Sequence, residues 1–536
     1  MKLKSICRAV AITALVLIAL IAFPFLMSFL HPDVKLLREN TNEFNTTFYR
    51  TIIYASTGSV LLIFFGFFGA LKLRRIGNFS SYGKALGILI LPITLGNLSI
   101  GFIVKLIAGN SAFFAWAASG TFLYKALFID LLNIWQYGLL FVYLYWLNFK
   151  DIPANVLDFG IAQHFSRYQL IKDIYLPGSR NLTMLLIVLG ILLIVFDDSK
   201  ITYLFKVSQG TDSELISNWL SRNYQSSLLV NTSFAENLIL RSGNFVFLGI
   251  AIITVLMYAL YGSFFSFLAR FKWYPKSLRI STGLAYTQKT WAILLLVLSV
   301  LPLVFILPLL KLTPASFEEL KFSLLMVLLA AILSSFLAII FAIAARLGWP
   351  DTLSSFRGRS LYFLGGLFLL MFVPPIIILV CGFKWMAIVG YRNEISIYLC
   401  WITGHALLSL PLLGSFIIFN HFRLSNNELN YVGVYRMSFF NILKYSFFKR
   451  FKAEYLLLFI VSYATIWNES VLNNLFSDYI PSFSSQLKMM IMGSGADYTQ
   501  AVGYLLVSLL ISVTAVAIWQ IILKRGQVND PLYEKD

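Results

Sequence analysis

The sequence predicts an all-α, polytopic membrane protein of twelve transmembrane helices, built as two parallel six-helix repeats. Three observations lead there. Of 536 residues, 59% are hydrophobic and 12% are charged, whereas soluble domains are about 45–50% apolar and about 25% charged. A water-soluble protein is thereby excluded. Twelve stretches free of Asp, Glu, Lys and Arg are read as spans, most of them close to the ~20 apolar residues that a helix needs to cross hydrocarbon. Finally, several features recur at one constant offset, that from Thr51 to Ser323, close to half the chain.

In order, the stretches are 9–30, 51–71, 85–104, 131–149, 181–196, 242–269, 290–310, 322–345, 360–383, 395–422, 455–468 and 498–523. Only the fifth and the eleventh, 181–196 and 455–468, fall short of a full span. Lys2, Lys4 and Arg8 precede the first run in the manner of a signal peptide. The length of that run, 9–30, and the lack of a small-x-small cleavage site before His31 make it an uncleaved first span instead.

Charge sets the orientation. With the amino terminus inside, 28 of the 42 Lys and Arg residues fall on inner segments, as the positive-inside rule requires. The loop after span six (Arg270, Lys272, Lys276, Arg279, Lys289) carries five bases and no acid. The formal charge of +18 is thus mostly a cytoplasmic-face charge and no sign of nucleic-acid binding. Both termini are expected in the cytoplasm. Cys7, Cys381 and Cys400 form neither a disulfide framework nor a zinc motif.

The half-chain offset sets Thr51-Ile-Ile on Ser323-Leu-Leu, Ala70 on Ala342, Arg74 on Arg346 and Asp197 on Glu469. It also sets Phe165–Lys172 on Met437–Lys444. A constant offset linking span ends, loop polarity and two acids points to halves 1–275 and 276–536, with inner loops 150–180 and 423–452. Such a duplication implies a pseudo-two-fold axis along the membrane normal, with a pathway between the halves.

The first of these loops, Asp158–Pro177, reads DFGIAQHFSRYQLIKDIYLP. It resembles the cytoplasmic loop of the permease subunits of binding-protein-dependent ABC importers, E-A-A-x3-G-x9-I-x-L-P with a Ser-x-aromatic-Gln run. Ser166, Arg167, Tyr168, Gln169, Ile174, Leu176 and Pro177 match, and Asp158 stands at the Glu position, while Phe159 and Gly160 replace the alanines and His164 replaces the glycine. In the second loop Ser438, Phe440 and Asn441 fit, Arg436 replaces the glycine and no Leu-Pro follows. The span pairs Pro92 with Gly101, and Pro374-Pro375 with Gly382, resemble the family's proline-bearing third span less specifically.

The resemblance implies a type I ABC importer permease fold, like the fused iron(III), thiamine or polyamine group, in a bacterial inner membrane. Its loops would be short coupling helices that dock on two copies of a cytoplasmic ATPase subunit. An extracytoplasmic solute-binding protein would deliver the cargo. In that picture Tyr168 is a knob, and Pro177 stops the coupling helix because proline lacks the N–H and clashes with the preceding turn. The glycine of relatives permits a tight turn, so His164 and Arg436 imply an altered one. The chain has no GxxxxGK[ST] phosphate loop. ATP and magnesium therefore belong to the partner, and this chain binds no cofactor or metal and is no enzyme. The plainer reading of 158–177 is a basic interfacial helix.

Ionisable groups at membrane depth are costly and mark pathways or partners. Asp130, Asn133 and Gln136 recur every three residues along one side of span four, as pore lining or as interhelical hydrogen-bonding glue. His405 stands at the repeat position of Asn133 and reads as a buried, satisfied histidine or a proton relay. Asp197, Asp198, Asn468 and Glu469 end the two short spans on the outer side. They read as interfacial charge, or as an acidic pair favouring a cationic solute. The run Trp467-Asn468-Glu469 is also similar to a segment of sugar permeases, which leaves the solute open. The outer loop 197–241, with Glu214, Arg222 and Lys200 among its charges, is a candidate surface for the binding protein.

Two other classes compete. A secondary carrier can also have six-plus-six spans, but Leu73-Arg74-Arg75-Ile76 lacks the acid and glycine of the Asp-Arg-x-Gly-Arg-Arg element common there. A polytopic membrane enzyme would need clustered acids or a His/Asp constellation, whereas His31, His164, His405 and His421 are dispersed.

Overall fold

The computed structural model describes residues 41–74, 85–109, 111–150, 167–195, 199–205, 246–257, 284–304, 317–348, 394–421, 452–469, 482–492 and 498–528, with isolated short pieces between them. Every element among these residues is helical, and none is a strand. The labelled helices are α1 (Thr41–Leu73), α2 (Asn97–Ala108), α3 (Ala112–Ser119), α4 (Phe122–Asn133), α5 (Leu139–Lys150), α6 (Leu176–Val195) and α7 (Ser199–Phe205). In the second half they are α8 (Leu284–Val304), α9 (Phe317–Gly348), α10 (Glu394–His421), α11 (Lys452–Asn468), α12 (Phe483–Met492) and α13 (Tyr498–Val528).

Among the described residues four helical stretches are long and apolar enough to cross a membrane: Asn42–Leu73, Phe122–Phe149, Lys321–Ile340 and Ala501–Ile518. Two further bent pairs raise this to six if each is one span. The composition is that of a membrane protein. On α9, Leu325, Leu328, Leu329, Ile332 and Phe336 are exposed at helical spacing, a face that water would penalise and lipid would not. Of the twelve expected spans, the first, 9–30, lies almost wholly outside the described residues, as does much of the sixth and ninth.

The first half is assembled around α1. This helix has 33 residues, Glu43 in its first turn and Lys72 in its last, charges that suit the helix dipole. At about 1.5 Å per residue it is some 50 Å long, so it projects beyond the hydrocarbon. It packs against α4, α5 and α6. Gly66 and Gly69 let α5 approach closely: a Cβ at Gly66 would lie 2.6 Å from Phe141 Cβ, and one at Gly69 would lie 2.7 Å from Val142 Cγ2. In the second half α9 packs against α10 and α11 through buried Ala330, Ala331 and Ala338. At the half-chain offset the stretch from α4 through α5, Phe122–Lys150, falls on 394–422, against Glu394–His421 for α10.

Three expected spans have different bounds. The third is not one helix: Leu86–Thr94 and Ser99–Ala108 meet at 96°. Leu95 is extended (φ −85°, ψ 127°) and Gly96 likewise (φ −65°, ψ 158°), so the backbone leaves the helix there for two residues. The fourth begins earlier, at Phe122 rather than 131, because Lys125 and Asp130 sit within the helix. The fifth begins at Leu176 rather than 181.

Pro177 corrects the expectation of a helix stop. It is the second residue of α6 and does not end the helix that starts at Arg167. A wide π turn, Ile171–Tyr175, joins Arg167–Leu170 to α6. The proline falls in the first turn after it, where a missing N–H is tolerated. The chain then bends by 63° between Ile171–Arg180 and Leu182–Val195.

Candidate functional site: a buried polar cluster at a helix break

The span Phe122–Phe149 is interrupted at Ile134–Gly138 by a second π turn, a widening often found at functional sites. Asn133 lies well inside both ends of this span. At 1.5 Å per residue the two ends are about 17 and about 24 Å away, placing the residue near mid-depth. Asp130, Asn133 and Gln136 are each at most 2% exposed, and the structure brings them together as the three-residue spacing predicts.

Their partners complete the cluster. Asn133 Nδ2 donates to the Tyr54 hydroxyl at 2.8 Å. Gln136 Nε2 donates to Leu95 O at 3.0 Å and to Asn97 Oδ1 at 2.9 Å, which ties span four to the break in span three. The Tyr137 hydroxyl donates to Asn97 Oδ1 at 2.6 Å. Thr57 Oγ1 donates to Asp130 Oδ2 at 3.0 Å, whereas the buried Asp130 Oδ1 has no hydrogen-bond partner among the described residues.

The residue that sequence reasoning misplaced is Lys200. Assigned to an outer loop, it lies on α7 and is fully buried. Its ammonium donates to Asn133 Oδ1 at 2.5 Å and to Gln136 Oε1 at 2.6 Å. It also sits 4.7 Å from the centroid of the Tyr137 ring and within electrostatic reach of Asp130. Gly101 lets α7 come close: a Cβ there would stand 3.2 Å from Tyr203 Cδ1 and 3.7 Å from Lys200 Cα. The available signal was the apolar run Ile201-Thr-Tyr-Leu-Phe after Lys200, a pattern for a helix that buries its flanking charge.

The cluster belongs to the first half alone. At the half-chain offset, Asp130, Gln136 and Lys200 are replaced by Ile402, Leu408 and Leu472. His405, at the Asn133 position, is 1% exposed and meets the Trp401 ring edge-on at 4.2 Å.

The other expected sites are less fully visible. Asp158, His164, Ser166, Asp197, Asp198, Arg436, Ser438 and Phe440 lie outside the described residues. Arg167, Tyr168 and Asn468 are placed in helices by their backbone only, and Asn441 is an exposed helical residue. Gln169 is half-buried, Ile174 is buried, Leu176 is half-buried and Pro177 is exposed. Glu469 is half-buried just past α11, its N–H bonded to Ile466 O at 3.3 Å. Trp467 is core: it stacks between Tyr463 and Phe483 at 5.8 and 4.6 Å, and its indole N–H donates to Ser508 Oγ.

Among the described residues no group of three or more His, Cys, Asp or Glu side chains is placed to hold a metal ion. No protein-family profile, curated protein or solved structure matches this chain.

Proposed function

We propose that this chain is the membrane-spanning subunit of an ATP-driven importer, made of two fused six-helix halves and coupled to separate ATPase subunits. The observation that carries the reading is the inner segment before α6. The Ser-Arg-Tyr-Gln run leads into a short helix from Arg167, which continues through the π turn and then bends by 63° from the span. A helix set across its span offers a lever: force applied by a soluble partner to its exposed side is passed through buried Ile174 and Tyr175 into the membrane helices. The matching spacing of α4–α5 and α10, and of the packing around α1 and α9, supports the duplication.

The detergent-solubilised protein should co-purify an ATPase subunit, and Tyr168→Ala or deletion of Ser166–Gln169 should abolish that association. Normal ATPase binding and uptake after the deletion would sink the assignment.

A second reading, a secondary carrier, is favoured by one feature. A span broken at mid-depth beside buried charged groups is the usual setting of a carrier's binding site. Accumulation of solute that persists without any ATPase but collapses with the ion gradient would decide for it.

A further inference from the structure

Lys200 is held as a bound ligand would be. Two amide oxygens accept from its ammonium, at Asn133 and Gln136. The face of Tyr137 covers it at 4.7 Å, within the range of a cation–π contact. Asp130 supplies the opposite charge from one turn along α4. None of these four groups needs Lys200 to hold its position. Asn133 is fixed by Tyr54, Gln136 by Leu95 and Asn97, Tyr137 by Asn97 and Asp130 by Thr57. The cage is therefore preorganised on α1, α2, α4 and the π turn, while the cation enters from a separate short helix, α7. Asp130 Oδ1, buried and without a hydrogen-bond donor among the described residues, leaves the cage with one acceptor more than its occupant uses.

We propose that this cluster is a binding cage for a primary ammonium group, with Lys200 as its tethered resident, and that the cargo is a cationic amine whose head replaces Lys200. The cage stands on geometry alone. Its use by a cargo rests on the transport reading above.

The test removes the tether and supplies the cation free. Lys200→Ala deletes the equivalent of n-propylammonium, so the purified variant should melt below the wild type. Added n-propylammonium chloride should restore about half of that loss or more, since a ligand that binds only the folded state stabilises it. Potassium chloride at equal ionic strength and 1-propanol should not, and the wild type, whose tethered Lys200 already fills the cage, should respond far less. Adding Asp130→Asn to Lys200→Ala should remove the rescue. If Lys200→Ala gives no extractable protein, the same comparison is read as folded yield from cells grown with and without the amine.

The cage is overturned if the amine gives no rescue, if 1-propanol rescues equally, or if rescue survives Asp130→Asn. Because the readout is stability, a negative result leaves ATPase association untouched, and failure of that association leaves the cage untouched.

Discussion

The backbone N–H of Ile216 donates to the Thr51 hydroxyl at 2.9 Å, and the Ser323 hydroxyl, at the half-chain offset from Thr51, accepts from the N–H of Phe483 at 3.1 Å. Both hydroxyls are buried, one on α1 and one on α9, and each accepts from a segment 160 or more residues further along the chain. Thr51→Val and Ser323→Ala should each leave a buried N–H unpaired, a loss of about 1–3 kcal/mol. Thr51→Ser should keep most of the stability. Thermal unfolding in detergent checks this, and equal melting of Thr51→Val and Thr51→Ser would contradict it.

Gly66 and Gly404 make a matched pair. An alanine Cβ at Gly66 would press on Phe141, including its backbone carbonyl carbon at 3.1 Å, whereas one at Gly404 would meet nothing within 4 Å. Gly66→Ala should therefore destabilise by about 1–3 kcal/mol through overpacking. Gly404→Ala should be neutral or stabilising by up to about 1 kcal/mol from helix propensity. The unfolding midpoint should fall for Gly66→Ala and hold or rise for Gly404→Ala.

Arg222 clamps the amino-terminal end of α1. Its Nη2 donates to Glu43 at 2.7 Å and to Glu214 at 3.1 Å. Glu214 is 2% exposed and Glu43 38%. Arg222→Ala strands the buried Glu214 carboxylate and should cost about 3–5 kcal/mol. Glu43→Gln, at a solvated position, should have a small effect that shrinks further with salt. A salt titration of the melting temperature distinguishes the two.

Sidedness is open to labelling. Asp173, before α6, and Ser119, before α4, are both exposed, and the positive-inside reading puts the first inside and the second outside. On a cysteine-free background, Asp173→Cys should react with an impermeant thiol reagent only after the membrane is opened, and Ser119→Cys should react in intact cells. The reverse pattern would overturn the orientation.

Much of this architecture was legible in the sequence. Charge-free runs located α1, α5, α9, α10 and α13, because lipid leaves so few polar residues in a spanning helix. The three-residue spacing of Asp130, Asn133 and Gln136 found one wall of the cluster. What escaped was set by tertiary packing. Lys200 looked like a loop charge because nothing local records that Asn133 and Gln136, far back along the chain, await it. The break at Leu95 was hidden because Leu and Gly read as apolar whether or not they are helical. Pro177 misled for a comparable reason: a π turn ahead of it shifts the register that a proline rule assumes.

That break has a consequence for the bilayer. The helical pieces Leu86–Thr94 and Ser99–Ala108 are each too short to cross on their own, so the carbonyl freed between them at mid-depth cannot look to water. Gln136 stands in for the missing peptide: its side-chain amide supplies to Leu95 the hydrogen bond that span three gave up in turning. One helix thus lends a piece of backbone to another. A defect at Gln136 would be felt first when span three settles into the bilayer.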